Sequence, residues 1–234
     1  MHAKRIFGRP ESGTQPELAY TPYASTAKRA PRAAPIEIFP TATETTRPFL
    51  PKLGSEVCDL TCQFSNLPQG ERIIVSGQVR DEDGQPVVGA LLELWQANAA
   101  GRYRHPRDTH DAPLDPHFQG SGRVLTDATG SYRFITIKPG AYPWRNHPNA
   151  WRPAHLHFSV IGDCLLSRLV TQMYFPGDPL LPHDPIFMSV ADVAARQRLV
   201  SILDWSLTVP ELALGYRFDV VLGGRAATPA DPHT

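Results

Sequence analysis

The chain has 234 residues, with 23 Lys plus Arg balanced by 23 Asp plus Glu, so its formal net charge is zero. A chain of this size buries one substantial core. The charge balance argues against nucleic acid or an anionic membrane as partner and leans towards assembly with other protein chains. The 24 prolines exceed the average share of roughly 5% and mark a chain rich in turns and fixed loops.

The start, MHAKRIFGRPESG, has no apolar h-region, and no apolar run approaches the ~18 residues of a membrane span. Three cysteines, Cys58, Cys62 and Cys164, make an odd count. That disfavours a disulfide framework and suits a reducing cytoplasm. Cys58 and Cys62 have no second pair to complete a zinc site, so buried thiols are expected. Residues 1–15 read as a disordered tail, and the proline-rich stretch up to residue 70 as an extended arm.

Strand patterns begin at Glu71. RIIVSGQV is β-branched and apolar, DEDGQPV supplies a turn at Asp83-Gly84, and GALLELWQAN resumes the pattern. RVLTD, the turn Ala128-Thr129-Gly130 and SYRFITI read as a hairpin. AHLHFSVIG, RLVTQMYF and YRFDVVLGG complete a set of short strands. The expected fold is all-β, a β-sandwich of mostly antiparallel strands over residues 71–234, with long loops. One short helix is expected in the C-terminal half, with Ser189 and Asp192 as a capping-box pattern and Val193, Leu199, Val200 and Leu203 on its apolar side.

The chemistry concentrates between Tyr142 and Pro179. In AHLHFSV, alternation puts His155 and His157 on one face and Leu156 and Phe158 on the other. Two imidazoles on one strand make half of a metal site or two hydrogen-bonded histidines, and the motif alone leaves both open. Tyr142 and Tyr103 add two phenols. Tyrosine ionises near ~10, so phenolates at neutral pH need a strong cation, and trivalent iron suits two phenolates and two nitrogens. His105, Asp108, His110 and Asp111 are irregularly spaced in a loop and read as solvated polar residues.

The segments LWQANAAGRYRH, YRFITIKPGAYPW, NAWRPAHLHFSV, LVTQMYFPGDPL and ALGYRFDVVLGGR make the chain resemble the intradiol ring-cleaving dioxygenases, from about Tyr23 to Arg225. Within that family it is most similar to the iron-bearing chains that act on protocatechuate (3,4-dihydroxybenzoate). The resemblance implies one Fe(III) per chain, bound by Tyr103, Tyr142, His155 and His157. It implies cleavage of protocatechuate by dioxygen to 3-carboxy-cis,cis-muconate, in the beta-ketoadipate route of aromatic degradation. It also implies a homologous alpha-type partner chain in a hetero-oligomer, met by the N-terminal arm of residues 1–70.

The same resemblance assigns roles to further residues. Arg152 stabilises negative charge as oxygen attacks the ring, Gln172 assists by hydrogen bonding, and Tyr142 leaves the metal and takes a substrate proton. Trp144, Ile186, Tyr23 and Arg29 are expected around the substrate, and Trp95 reads equally as core. Arg145 reads as a surface arginine. Two rivals stand beside this reading: a cousin acting on catechol or hydroxyquinol, and a non-enzymatic β-sandwich binding module. The full set of four donors separates the chain from the family's catalytically silent subunit.

Overall fold

The computed structural model describes residues 10–34, 36, 38, 41–46, 56–144, 150–164 and 167–232. Arg145 lies outside them. Two sheets face each other across an apolar core. In the first, β1 (Arg72–Asp81) is central. It pairs antiparallel with β4 (Ser131–Ile137) on one side. On the other it runs parallel to β10 (Leu214–Arg217) and then β11 (Val220–Leu222), and β9 (Ile202–Leu203) extends the edge. The second sheet is antiparallel throughout, in the order β3 (Ser121–Leu125), β2 (Leu91–Trp95), β7 (His155–Ile161), β8 (Arg168–Tyr174). A short ribbon of β5 (Tyr142–Trp144) and β6 (Ala150–Arg152) stands apart.

The alternation in β7 falls as its sequence requires. Leu156, Phe158 and Val160 are fully buried in the core, where Phe158 meets Phe134, Tyr132 and Phe218 edge-on or tilted. Each such side chain contributes roughly 1.5–3 kcal/mol of burial. That burial fixes the strand's register, because a slip by one residue would push all three out of the core and both histidines into it.

Two local readings change. RVLTD and SYRFITI do not form a hairpin: β3 joins the second sheet and β4 the first. Asp127 still closes the turn, accepting the N–H groups of Thr129 at 2.8 Å and Ser131 at 2.9 Å, and Gly130 adopts φ +72°. The chain then diverges, because β2 claims β3 and β1 claims β4. The C-terminal helical signal resolves into α3 (Pro185–Met188) and α4 (Val193–Gln197), counted after α1 (Thr26–Arg29) and α2 (Ala42–Thr45) of the arm. Asp192 alone caps α4, accepting from Ala195 N at 2.6 Å, while Ser189 turns back onto the Ile186 carbonyl. Val193 is exposed, and Leu203 belongs to β9.

Residues 10–15 are part of the structure and not a loose tail. Gly13 O accepts from Asp192 N at 2.9 Å, Pro16 bridges to Val190, and Thr14 is buried. Cys58 and Cys62 are exposed free thiols, against the expectation of burial; only Cys164 is inside. Cys62 stays outside because its segment is a surface 3-10 turn capped by Asp59, whose carboxylate accepts from the Thr61 N–H and from the thiol itself. Among the described residues, no helix is long and apolar enough to cross a membrane.

Candidate metal centre

The strand registers assemble the site. Trp95, His157 and Gln172 lie side by side across β2, β7 and β8, and His155 lies opposite Tyr174. Tyr142 lies opposite Arg152 in the β5–β6 ribbon. Tyr103 arrives on a loop that Asn98 folds back. Its side-chain oxygen accepts from Ala100 N at 3.0 Å and Arg102 N at 2.9 Å. Asp108, earlier only a solvated loop residue, accepts from Tyr103 N at 2.7 Å and His110 N at 2.8 Å, which pins the loop beyond.

Gly101 is the tight point of this loop. It has φ +79°, and a Cβ there would run into the Ala141 carbonyl beside Tyr142. A side chain must therefore either strain the backbone or push the two tyrosine segments apart. Gly101→Ala is expected to cost about 1–3 kcal/mol in denaturant unfolding and to weaken metal uptake with it. Unchanged stability together with unchanged metal uptake would show that the close approach is not needed.

The four expected donors come together. The Tyr103 and Tyr142 rings meet edge-on at 5.4 Å and His155 and His157 at 4.9 Å, while Tyr142 and His155 are tilted at 5.5 Å and Tyr103 and His157 at 6.2 Å. The His155 Nδ1–H donates to Pro153 O at 2.7 Å, which leaves Nε2 as the lone-pair nitrogen. Tyr142 Oη lies 3.4 Å from that Nε2. Burial, aided by Arg152 and His157, holds the His155 pKa well below its usual value. Burial also lowers that of His157, against the opposing pull of Asp231. Both imidazoles are therefore neutral at pH 7, the form that binds metals.

Tyr103 Oη is buried without a hydrogen-bond partner. Burial and the neighbouring Tyr142 push its pKa well above the ordinary phenol value. A buried phenol with nothing to bond is costly, and a cation at its oxygen removes both penalties. The Arg152 guanidinium lies at two of the other donors: its Nη1 is 3.0 Å from His155 Nε2 and 3.4 Å from Tyr142 Oη. Two phenols and two neutral imidazoles fit a trivalent cation. Among the described residues, no group of three or more His, Cys, Asp and Glu could hold a metal ion.

Arg152 is only 2% exposed and is held by the expected Gln172 together with two residues not singled out from the sequence, Asp184 and Tyr174. Its Nη2 donates to Asp184 Oδ2 at 2.8 Å, Gln172 Oε1 at 2.6 Å and Tyr174 Oη at 3.0 Å. Burial alone would disfavour its charge, but Asp184 with Tyr142 and Tyr174 outweighs that, and the pKa is held well above its ordinary value. Asp184 is fully buried and also caps α3 through Ile186 N at 2.9 Å. Tyr174 shares the face of Gln172 two residues along β8, which alternation could have revealed. An Asp before Pro185 at a helix start could have pointed to Asp184.

The other expected residues are placed unevenly. Gln172 has both ends of its amide engaged, Oε1 by Arg152 and Tyr174 and Nε2 by Asp231 at 2.6 Å. Trp95 stacks on His157 with centroids 5.0 Å apart and planes 5° apart. Trp144 lies under the Arg152 guanidinium at 5.5 Å and meets the buried Tyr23 ring at 5.0 Å. Arg29 covers the far face of this row, 4.9 Å from the Tyr23 centroid, and its guanidinium donates to Pro232 O. Ile186 is buried in the first turn of α3.

This sandwich, with its paired tyrosines and histidines, is that of the intradiol dioxygenases, and the chain belongs to that family: residues 46–224 match the family model described as "Dioxygenase". The family is non-haem iron-dependent. Residues 7–41 match a second model, "Protocatechuate 3,4-dioxygenase beta subunit N terminal". The chain is 53% identical over 225 residues to the protocatechuate 3,4-dioxygenase beta chain of Burkholderia cepacia, covering 93% of this chain and 94% of that one. Identity to the hydroxyquinol 1,2-dioxygenase of Rhizobium sp. (strain MTP-10005) is 35% over 132 residues, 51% of this chain and 42% of that one. Among solved structures, 3-chlorocatechol 1,2-dioxygenase from Rhodococcus opacus 1CP superposes with a TM-score of 0.55 at 26% identity, over 78% of this chain and 75% of that one.

Proposed function

We propose that the chain cleaves protocatechuate with dioxygen between its two hydroxyl-bearing carbons, giving 3-carboxy-cis,cis-muconate. The similarity to the Burkholderia cepacia beta chain along nearly its whole length supports this substrate over catechol and hydroxyquinol, whose enzymes match over a shorter span. The observation that carries the chemistry is the buried, unpartnered hydroxyl of Tyr103 beside a second phenol and two neutral imidazoles. Tyr103, Tyr142, His155 and His157 hold one ferric ion per chain. When bound, this ion supplies a Lewis acid that orients the catechol oxygens and draws electron density from the ring.

The protein side chains divide the remaining work. Tyr142 is only half-buried, unlike the adjacent His155, and its Oη accepts a catechol proton. Arg152 keeps its charge in a water-poor site and stabilises negative charge that grows on the ring, at no cost of reorganisation. Gln172, Tyr174 and Asp184 keep the guanidinium in place. Trp144, Ile186 and Tyr23 shape the substrate side. A homologous alpha-type chain assembles with this one, a reading supported by the match of residues 7–41 to a beta-subunit model.

Oxygen uptake against a panel of catechols, with and without a co-expressed alpha-type chain, tests the substrate. Protocatechuate is expected to be turned over fastest, by a red-brown protein; a preference for catechol or hydroxyquinol would overturn the assignment. Tyr142→Phe is expected to retain some iron, shift the visible spectrum and slow substrate deprotonation. An unchanged spectrum would mean that Tyr142 only packs.

A further inference from the structure

The 228–232 segment lies beyond the residues matched by either family model, yet it reaches the centre of the site. It runs alongside β8: Thr171 Oγ1 donates to Pro229 O at 2.7 Å, and Asp231 N donates to Val170 O at 2.7 Å. The N-terminal arm holds its other side. Gln15 Oε1 accepts from Ala230 N at 2.9 Å, and Arg29 donates to Pro232 O. Asp231 is thereby fixed, 4% exposed, with its carboxylate turned inwards.

Asp231 Oδ2 accepts from Gln172 Nε2 at 2.6 Å and lies 3.5 Å from His157 Nδ1. That nitrogen is buried and has no hydrogen bond, and 3.5 Å is an ion-pair distance beyond hydrogen-bond length. The two imidazoles thus have different supports. His155 is oriented by the carbonyl of nearby Pro153, whereas His157 faces a carboxylate from a segment remote in sequence. A carboxylate facing Nδ1 keeps the proton there, leaves Nε2 as the donor and raises its basicity.

We propose that Asp231 is a positioning residue of the metal centre, holding His157 in its Nδ1–H form and joining it through Gln172 to Arg152. This rests on the reading that Tyr103, Tyr142, His155 and His157 hold the metal. Asp231→Asn keeps the side chain's shape and its acceptor towards Gln172. The same oxygen, Oδ2, faces both Gln172 Nε2 and His157 Nδ1. An amide oxygen in its place stays an acceptor but loses the negative charge, which weakens the hold on the Nδ1 proton and lowers the basicity of Nε2.

The experiment titrates the metal-free full chain with iron against a competing chelator, for wild type, Asp231→Asn, Asp231→Glu and Tyr103→Phe. Visible spectra of the loaded proteins and thermal unfolding of the metal-free ones are recorded alongside. Iron affinity is expected to fall about 10–100-fold in Asp231→Asn, with a shifted absorption band, metal-free unfolding near that of wild type, and partial recovery in Asp231→Glu. Wild-type affinity and spectrum in Asp231→Asn, with Tyr103→Phe impaired, would overturn this inference and leave the four-donor reading standing. A fall in affinity matched by collapse of the metal-free fold would also overturn it, making Asp231 a residue of general stability. Failure of wild type to bind iron, or wild-type affinity in Tyr103→Phe, would remove the four-donor reading and this inference together.

Discussion

Replacing Tyr103 or His157 with alanine is expected to abolish the visible colour, remove most bound iron and reduce oxygen uptake to background. Both side chains are partly buried, with the Tyr103 hydroxyl and His157 Nδ1 enclosed, and each lies against another expected donor, so a neighbour moving in from solvent does not replace either. The alternative is that Tyr103 is a packing residue. On that reading, removing a buried hydroxyl that bonds to nothing should be neutral or even stabilising. Tyr103→Phe separates the two cases, since it deletes only the oxygen. If metal-free Tyr103→Phe unfolds at higher denaturant than wild type yet binds iron poorly, the hydroxyl is kept for the metal at a cost in stability. If it binds iron as wild type does, Tyr103 is not a ligand.

The sandwich was legible because its strands carry their instructions locally: Leu156, Phe158 and Val160 must be buried, and alternation then places His155 and His157 together. Sheet membership was not. Asp127 and Gly130 make the same turn whether the strands beyond it pair with each other or with separate partners, and only the competing strands β1 and β2 decide. The same limit applied at the site. Arg152 could be singled out from its place three residues before a histidine, but its holders come from β8 and from the cap of α3, and Gln172 among them is held in turn by the 228–232 segment. Tyr174 was within reach, sharing a face with Gln172. Asp231 was not, because its approach depends on the arm residues Gln15 and Arg29 closing over a segment with no pattern of its own.

Those holders change what loss of Arg152 should do. Arg152→Leu is expected to lower turnover by roughly 10²–10³, the usual effect of removing one preorganised charge from a reacting centre. It also leaves the fully buried Asp184 without its cation, and breaking a buried pair on one side typically costs about 3–5 kcal/mol. A single substitution therefore mixes catalysis with architecture. The double variant Arg152→Leu, Asp184→Asn separates them, because Asn can still accept from Ile186 N and no charge remains unpaired. It should regain most of the stability lost in Arg152→Leu, since two neutral groups replace the pair. It should bind iron and form the coloured substrate complex under anaerobic conditions, yet still decay slowly when oxygen is admitted. Recovery of wild-type decay along with stability would show that Arg152 serves the fold and not the reaction. Slow decay in a stable, iron-loaded double variant would assign the guanidinium to the charge that develops on the ring.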